Sequence, residues 1–509
     1  MKASTPPLRI LFVSSECAPY AKCGGLGDVV AALPKALRAA GHDARVFMPR
    51  YGSVDPDRFG LAAPATLSVP AGNGETLDAA LWSATADGTV PVHFLEYNRF
   101  FDRGGVYDRD GIAFGDQAWR FGFLCLAALE ACRQSGWIPD VVHVHDWPTA
   151  VLPVLLRARR DALPPDQNPF ARTASVLTIH NQVFQGWSDP SVLPFLGLDR
   201  ADVFRPDALE AYGQLNLLKG GIVFSDALAT VSPGYAREIL SEPAGNGLSP
   251  FLRARAEAGD FTGILNGVDY TLWNPALDPF LSAPYTPYSL TANSLAPGKA
   301  TCKAALQAEL SLPREPDVPL FGFVARLTEQ KGARLLLDAL PSILGDMPFQ
   351  LALLGRGDPA VERDFLSAAA ARPDRIAVRL DFSESLAHRI YAGSDFFLMP
   401  SQFEPCGLSQ LYAMAYASLP LVHATGGLDD TVEQYNEGTG AGTGFKYYHP
   451  SPRALYDIVG WAVSTYFDRP GHLACLRQRA MSRHFDWASS ASRYLALYRH
   501  ALARVRGDS

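Results

Sequence analysis

The sequence predicts an α/β protein built from two parallel-sheet domains in tandem. Two observations carry that expectation. Short apolar, β-branched runs alternate with stretches of helical spacing from Leu8 onward, and the alternation starts afresh at Leu320–Ala325 (LFGFVA). Strands buried on both faces read as continuous apolar runs, and the helices between them supply the crossovers of a parallel sheet. The 509 residues leave room for two large domains or about three ordinary ones.

Taken in order, Leu8–Ser14 reads as the first strand. The turn Lys22-Cys-Gly-Gly-Leu-Gly-Asp28 follows, then helical spacing over Val29–Ala40, which Gly41 stops. Ala44–Met48 supplies the next strand and completes a βαβ opening. Phe121–Cys132, interrupted by Glu130, fits a buried helix. Further strands are expected at Val141–His145, Ala174–Ile179 and Ala227–Val231. In the second half, a helix is expected over Ala333–Leu344. Strands are expected at Gln350–Leu354, Ile376–Leu380, Asp395–Met399 and Leu419–Ala424. Asn274–Pro297, rich in Pro, Ser, Thr and Ala, reads as a surface connection. Phe485–Arg506 reads as one amphipathic helix with Trp487, Tyr494, Leu495 and Tyr498 as its buried stripe.

Composition narrows the function classes. Hydrophobic residues make up 48% and charged residues 19%, a balance that folds around sizeable cores rather than staying disordered. The charge sum, 45 − 52 = −7, leaves no basic excess for a polyanion, so nucleic acid is not expected as a partner. The seven cysteines include no CxxC pair, which argues against a disulfide framework or structural zinc and for a reducing compartment. The run Ile10–Val13 is too short for a signal-peptide core, and no uncharged apolar stretch reaches the roughly 18 residues of a membrane span. A cytoplasmic protein without a membrane partner is expected.

In open parallel sheets, ligands bind outside the carboxyl ends of the strands, so the polar residues just after strands matter most. Adjacent glycines in the 22–28 turn allow close backbone approach, the next helix N-terminus favours an anion and Lys22 adds a charge. A plain strand-to-helix turn is the alternative. The turn is not a dinucleotide fingerprint, because Val30 stands where a third glycine would be. His143-Val-His145-Asp146-Trp147 follows a strand and suits a metal, a sugar hydroxyl or a helix cap. No matching second cluster accompanies it. His180 and Asn181 end another strand and suit sugar hydroxyls or a structural role. Arg326 and Lys331 share one strand-end loop, which suits a diphosphate. Glu404 lies before Pro405, Gly407 permits close approach, and Thr425-Gly426-Gly427 follows a further strand. Glu404 suits a sugar hydroxyl, developing positive charge, a helix cap or a surface ion pair.

Together these stretches resemble the bacterial glycogen synthase and plant starch synthase family. The carrying segments are KCGGLGDVV, HVHDWPTA, TIHNQVFQG, LLKGGIVFSDALATVSPGYAREI, GILNGVDYTLWNP, ARLTEQKG, PSQFEPCGLSQLYAM and ATGGLDDTV, in the family's order over nearly the whole chain. The resemblance implies a GT-B type fold: two Rossmann-like domains facing a central cleft, with the last helix crossing back to the first domain. The implied division is residues 1–262, residues 263–484 and a returning helix over 485–509. It implies retaining transfer of glucose from ADP-glucose to the non-reducing end of an α-1,4-glucan such as glycogen, with no metal or other cofactor.

Carried over by position, the resemblance places Lys22, Gly24, Gly25 and Asp28 at the sugar nucleotide and Arg326 and Lys331 on its diphosphate. By the same resemblance, Glu404 matches the family's essential acid of the second domain, and His180 matches its catalytic-site histidine, with Asp146 and Asn181 beside it. Asn266, Cys406, Gly407, Leu408, Thr425, Gly426 and Gly427 line the substrate site. Cys23 replaces a usual threonine, Gly27 a usual alanine and Cys302 a common asparagine. Tyr412 stands where many retaining relatives have a second glutamate, which leaves Glu404 alone. Segments such as ARLTEQKG would also suit a sucrose or trehalose-phosphate synthase, and a glucan-binding scaffold without turnover is the non-enzymatic alternative. KCGGLGD and HNQVFQG point to glucan elongation.

Overall fold

A computed structural model describes residues 6–109, 111–287 and 297–507. The chain divides into two compact units: Met1–Gly267 with Trp487–Ser509, and Val268–Asp486.

The first unit is built on strands β1 (Arg9–Val13), β2 (Asp43–Pro49), β3 (Ala62–Pro70), β4 (Thr76–Ala86), β5 (Val90–Glu96), β6 (Val141–His145), β7 (Ala174–Ile179), β8 (Ala227–Thr230) and β9 (Phe261–Gly263). Among the described residues they form one nine-stranded sheet in the order β9-β8-β7-β6-β1-β2-β5-β4-β3. From β9 to β5 the pairing is parallel, and β4 and β3 extend the sheet antiparallel. The wholly parallel sheet expected from sequence is thus corrected to a mixed one. β3 (AAPATLSVP) is mostly exposed, so it lacks the continuous apolar run that marked the others. β6 and β7, by contrast, are buried at every position.

The opening helix spans Gly25–Ala39, four residues earlier than its apolar spacing suggested, because extended Gly24 serves as its N-cap. Gln117–Ser135 forms the buried helix expected around Phe121. The terminal helix, Trp487–Arg506, packs in this unit. Its stripe Trp487, Tyr494, Leu495 and Tyr498 is buried. The Tyr498 hydroxyl lies 2.8 Å from His143 Nδ1 on β6.

The second unit carries β10 (Leu320–Val324), β11 (Gln350–Leu354), β12 (Ile376–Arg379), β13 (Phe396–Met399), β14 (Leu419–His423) and β15 (Phe445–Tyr447). Among the described residues they form a six-stranded, all-parallel sheet ordered β12-β11-β10-β13-β14-β15. Residues 288–296 of the expected surface connection lie outside the described residues. The described part is not all surface. Asp278 and Tyr285 are buried, and Trp273, just before the segment, stacks between His388 and Tyr412 at 3.9 and 3.8 Å.

In each sheet the chain winds outward in both directions from a central pair of strands, β1 and β6 in the first and β10 and β13 in the second. The loops leaving those pairs diverge, which opens a crevice at the carboxyl edge of each sheet.

Candidate functional site

In the first unit, the loop after β1 begins Ser14-Ser15-Glu16. The buried Glu16 carboxylate accepts hydrogen bonds from Cys23 N at 2.6 Å and Gly24 N at 3.1 Å, and from the Tyr107 hydroxyl at 2.7 Å. Two amides of the glycine turn are therefore held by the protein's own carboxylate. Burial pushes the Glu16 carboxyl above its ordinary range, with these hydrogen bonds opposing. Gly25 opens the helix that follows, and Lys22 pairs with Asp28 at 2.7 Å on its outer side. Glu16 and Tyr107 escaped the sequence reading, since 91 residues separate them.

Asp146 follows β6 with left-handed backbone, φ 53°. Its half-buried side chain accepts from His180 N at 2.6 Å and Asn181 N at 3.2 Å. It thereby ties the loop after β6 to the loop after β7. Burial pushes the Asp146 carboxyl up to about 7. His180 is 9% exposed, and burial drives its imidazole down to about 3, so the ring is neutral. His145 Nδ1 lies 3.1 Å from His180 Nε2. Asn266 follows β9 at the same edge, and its buried Oδ1 has no hydrogen-bond partner among the described residues. Of the expected first-unit residues, Asp146, His180 and Asn181 form one hydrogen-bonded group. Lys22 and Asp28 form a separate pair.

In the second unit, the loop after β10 carries Arg326 and Lys331, and the loop after β13 carries Glu404. Lys331 Nζ lies 2.6 Å from Glu404 Oε2, which also accepts from Ser401 Oγ at 3.0 Å. Arg326 is exposed, and among the described residues nothing pairs with its guanidinium. Gly332 passes so close to Pro400 that a Cβ there would sit 2.0 Å from the Pro400 carbonyl. Gly427 N donates to Glu404 O at 3.0 Å, and a Cβ at Gly427 would lie 2.1 Å from Cys406 O. Glycine is thus required where the loops after β13 and β14 touch. Gly407 (φ 71°) and Gly426 (φ 44°) take left-handed backbone at the starts of the next helices, with Cys406, Leu408 and Thr425 beside them. Phe382, 77% exposed on the loop after β12, presents an aromatic ring at the same edge. It was not singled out from sequence, although an aromatic between Asp381 and Ser383 just past a strand was a usable signal.

Among the described residues, no group of three or more His, Cys, Asp or Glu side chains is arranged to hold a metal ion. No described helix is long and apolar enough to cross a membrane.

The chain matches two family models: "Starch synthase catalytic domain" over residues 9–254 and "Glycosyl transferases group 1" over residues 318–459. It is 44% identical to glycogen synthase 1 of Geobacter metallireducens, covering 98% of this chain and 97% of that one. The chain belongs to the glycogen synthase family. A glycogen synthase of Anaeromyxobacter sp. (strain Fw109-5) is 46% identical, covering 97% of this chain and 100% of the relative. Among solved structures, the catalytic domain of starch synthase IV from Arabidopsis thaliana, bound to ADP and acarbose, superposes with a TM-score of 0.88 at 35% identity. That match covers 98% of this chain and 100% of the other. The sucrose-phosphate synthase of Thermosynechococcus elongatus, at TM-score 0.60 and 18% identity, shares the fold alone. As a member of the glycogen synthase family, the chain is a glucosyltransferase with the GT-B fold.

Proposed function

We propose that this glucosyltransferase passes glucose from ADP-glucose to the non-reducing end of an α-1,4-glucan, retaining the anomeric configuration and releasing ADP. The observation that carries this reading is the second-unit cluster: an exposed Arg326, unpaired among the described residues, on the same loop as Lys331 of the Lys331–Glu404 pair, at the point where the strand order reverses. A departing nucleoside diphosphate develops negative charge, and fixed cations stabilise it in the transition state. Arg326 supplies a planar fork and Lys331 a point charge. Among the described residues, Glu404 Oε1 accepts no hydrogen bond, which leaves it available to a sugar hydroxyl while Oε2 steers Lys331. Phe382 offers a ring face to the base. A relative bound to ADP and acarbose supports the choice of donor and glucan.

The transfer proceeds by attack from the face the diphosphate leaves. The C1–O bond to phosphate breaks and the acceptor O4–C1 bond forms. The O4 proton passes to the departing phosphate oxygen. His180, held through Asp146, grips the glucose, and no metal is assigned a part. None of the seven cysteines is joined in a disulfide, which supports a reducing compartment such as the cytoplasm.

The test is to incubate the protein with glycogen plus ADP-glucose or UDP-glucose, measuring nucleotide release and glucan growth. Growth with ADP-glucose is expected. Nucleotide release without growth, or growth with UDP-glucose alone, sinks the reading. Arg326→Ala and Lys331→Ala should each lower kcat by roughly 10²–10³-fold with circular dichroism unchanged. Wild-type rates in both would defeat the phosphate assignment.

A further inference from the structure

His145 is the last residue of the fully buried strand β6, and its Nδ1 faces His180 Nε2 at 3.1 Å. One hydrogen lies between those two nitrogens, and either ring can supply it. The surroundings of His145 decide which. Its Nε2 is buried and, among the described residues, meets no hydrogen-bond partner. Phe12 stacks on the ring at 5.7 Å and the His143 ring lies 4.2 Å away. Were His180 Nε2–H the donor, neutral His145 would carry its own hydrogen on Nε2, a sealed N–H without an acceptor, which folded proteins rarely tolerate. With His145 Nδ1–H as the donor, only a lone pair is left bare.

His180 then accepts at Nε2, and its neutral ring carries hydrogen at Nδ1. Among the described residues, no other group engages the His180 imidazole. We propose that His145 is a positioning residue that locks His180 in the Nδ1–H tautomer. His180 thus offers the transferred glucose a hydrogen-bond donor and takes no proton from the acceptor hydroxyl. This rests on the reading that His180 meets the glucose. Burial supports it independently, because both rings are driven towards the neutral form.

Two-bond ¹H–¹⁵N spectra of the whole enzyme, ¹⁵N-labelled at its 11 histidines, test the lock directly. His180 signals are assigned by their loss in His180→Ala. A protonated Nδ1 and a bare Nε2 are expected for His180, and the reverse pattern overturns the proposal. This measurement needs no variant of His145 to fold. Kinetics supply the second arm. His145→Leu removes the donor and should cut kcat by roughly 10²-fold. His145→Asn sets an amide near the Nδ1 position and should keep roughly ten times the kcat of His145→Leu. Equal losses in the two variants overturn the proposal. In a His180→Ala background, His145→Leu should add no further loss, and additive losses again overturn it. A fully active His180→Ala removes the glucose half of the proposal, while the spectrum of the wild type still decides the lock.

Discussion

Asp146 combines a left-handed backbone with a half-buried side chain whose carboxyl is desolvated. Asn is the other non-glycine residue that takes this conformation readily, and it keeps an acceptor for His180 N and Asn181 N. Burial raises the Asp146 carboxyl from its ordinary 3.8 to about 7, so folding favours the protonated form. The associated stability is fully present below the ordinary value and is lost as pH rises through about 7. Asp146→Asn should therefore flatten the loss of unfolding free energy between about pH 4 and about pH 7, by about 4 kcal/mol at most. An unchanged pH profile would count against it. His143, His145 and His180 act with the opposite sign. Burial depresses all three, so their contribution is present above the ordinary histidine value and fails as acid takes the pH down towards about 3 for His180. Of these residues, Asp146 and His180 were legible because they follow apolar runs. The bond between His145 and His180 was not, because it joins adjacent strands across 35 residues.

The elements beneath the second-unit cluster depend on one acid. Asp395, just before β13, is buried between Lys303 at 2.8 Å and Arg477 at 2.6 Å. Burial pushes its carboxyl up, but the two cations outweigh that and hold it below its ordinary range. Asp395→Ala would strand both cations in the core. It should cost about 3–5 kcal/mol in a denaturant titration, and a loss below about 1 kcal/mol would refute the assignment. Gly427→Ala tests the loop contact after β14. Its Cβ would meet Cys406 backbone at 2.1 Å, which no rotamer relieves, so donor KM should rise and kcat fall. The strands carrying these loops were visible as continuous apolar runs. The antiparallel extension β3–β4 was not, because alternating exposed residues give no such run. The helix at Gly25 was foreshortened because glycine reads as turn.

At the scale of the molecule, the first unit is assembled from both ends of the sequence. Periodicity alone showed a helix at the end of the chain, and only the family resemblance assigned it to the first domain. Its tether is specific: Arg504 and His500 reach Asp260, and Arg506 reaches Asp140. Removing residues 487–507 should abolish cooperative melting of the first unit, while residues 268–486 expressed alone should melt cooperatively. Two intact transitions in the truncated protein would contradict this. Because Trp487–Arg506 follows Val268–Asp486 in the chain, the second unit has left the ribosome before the first can close. At about 5–20 residues per second, the nascent amino-terminal sheet waits some tens of seconds with one flank bare. Chains arrested before Trp487 should thus yield a protease-resistant second unit and a first unit that is still digested, which makes that interval the moment when a chaperone is most needed.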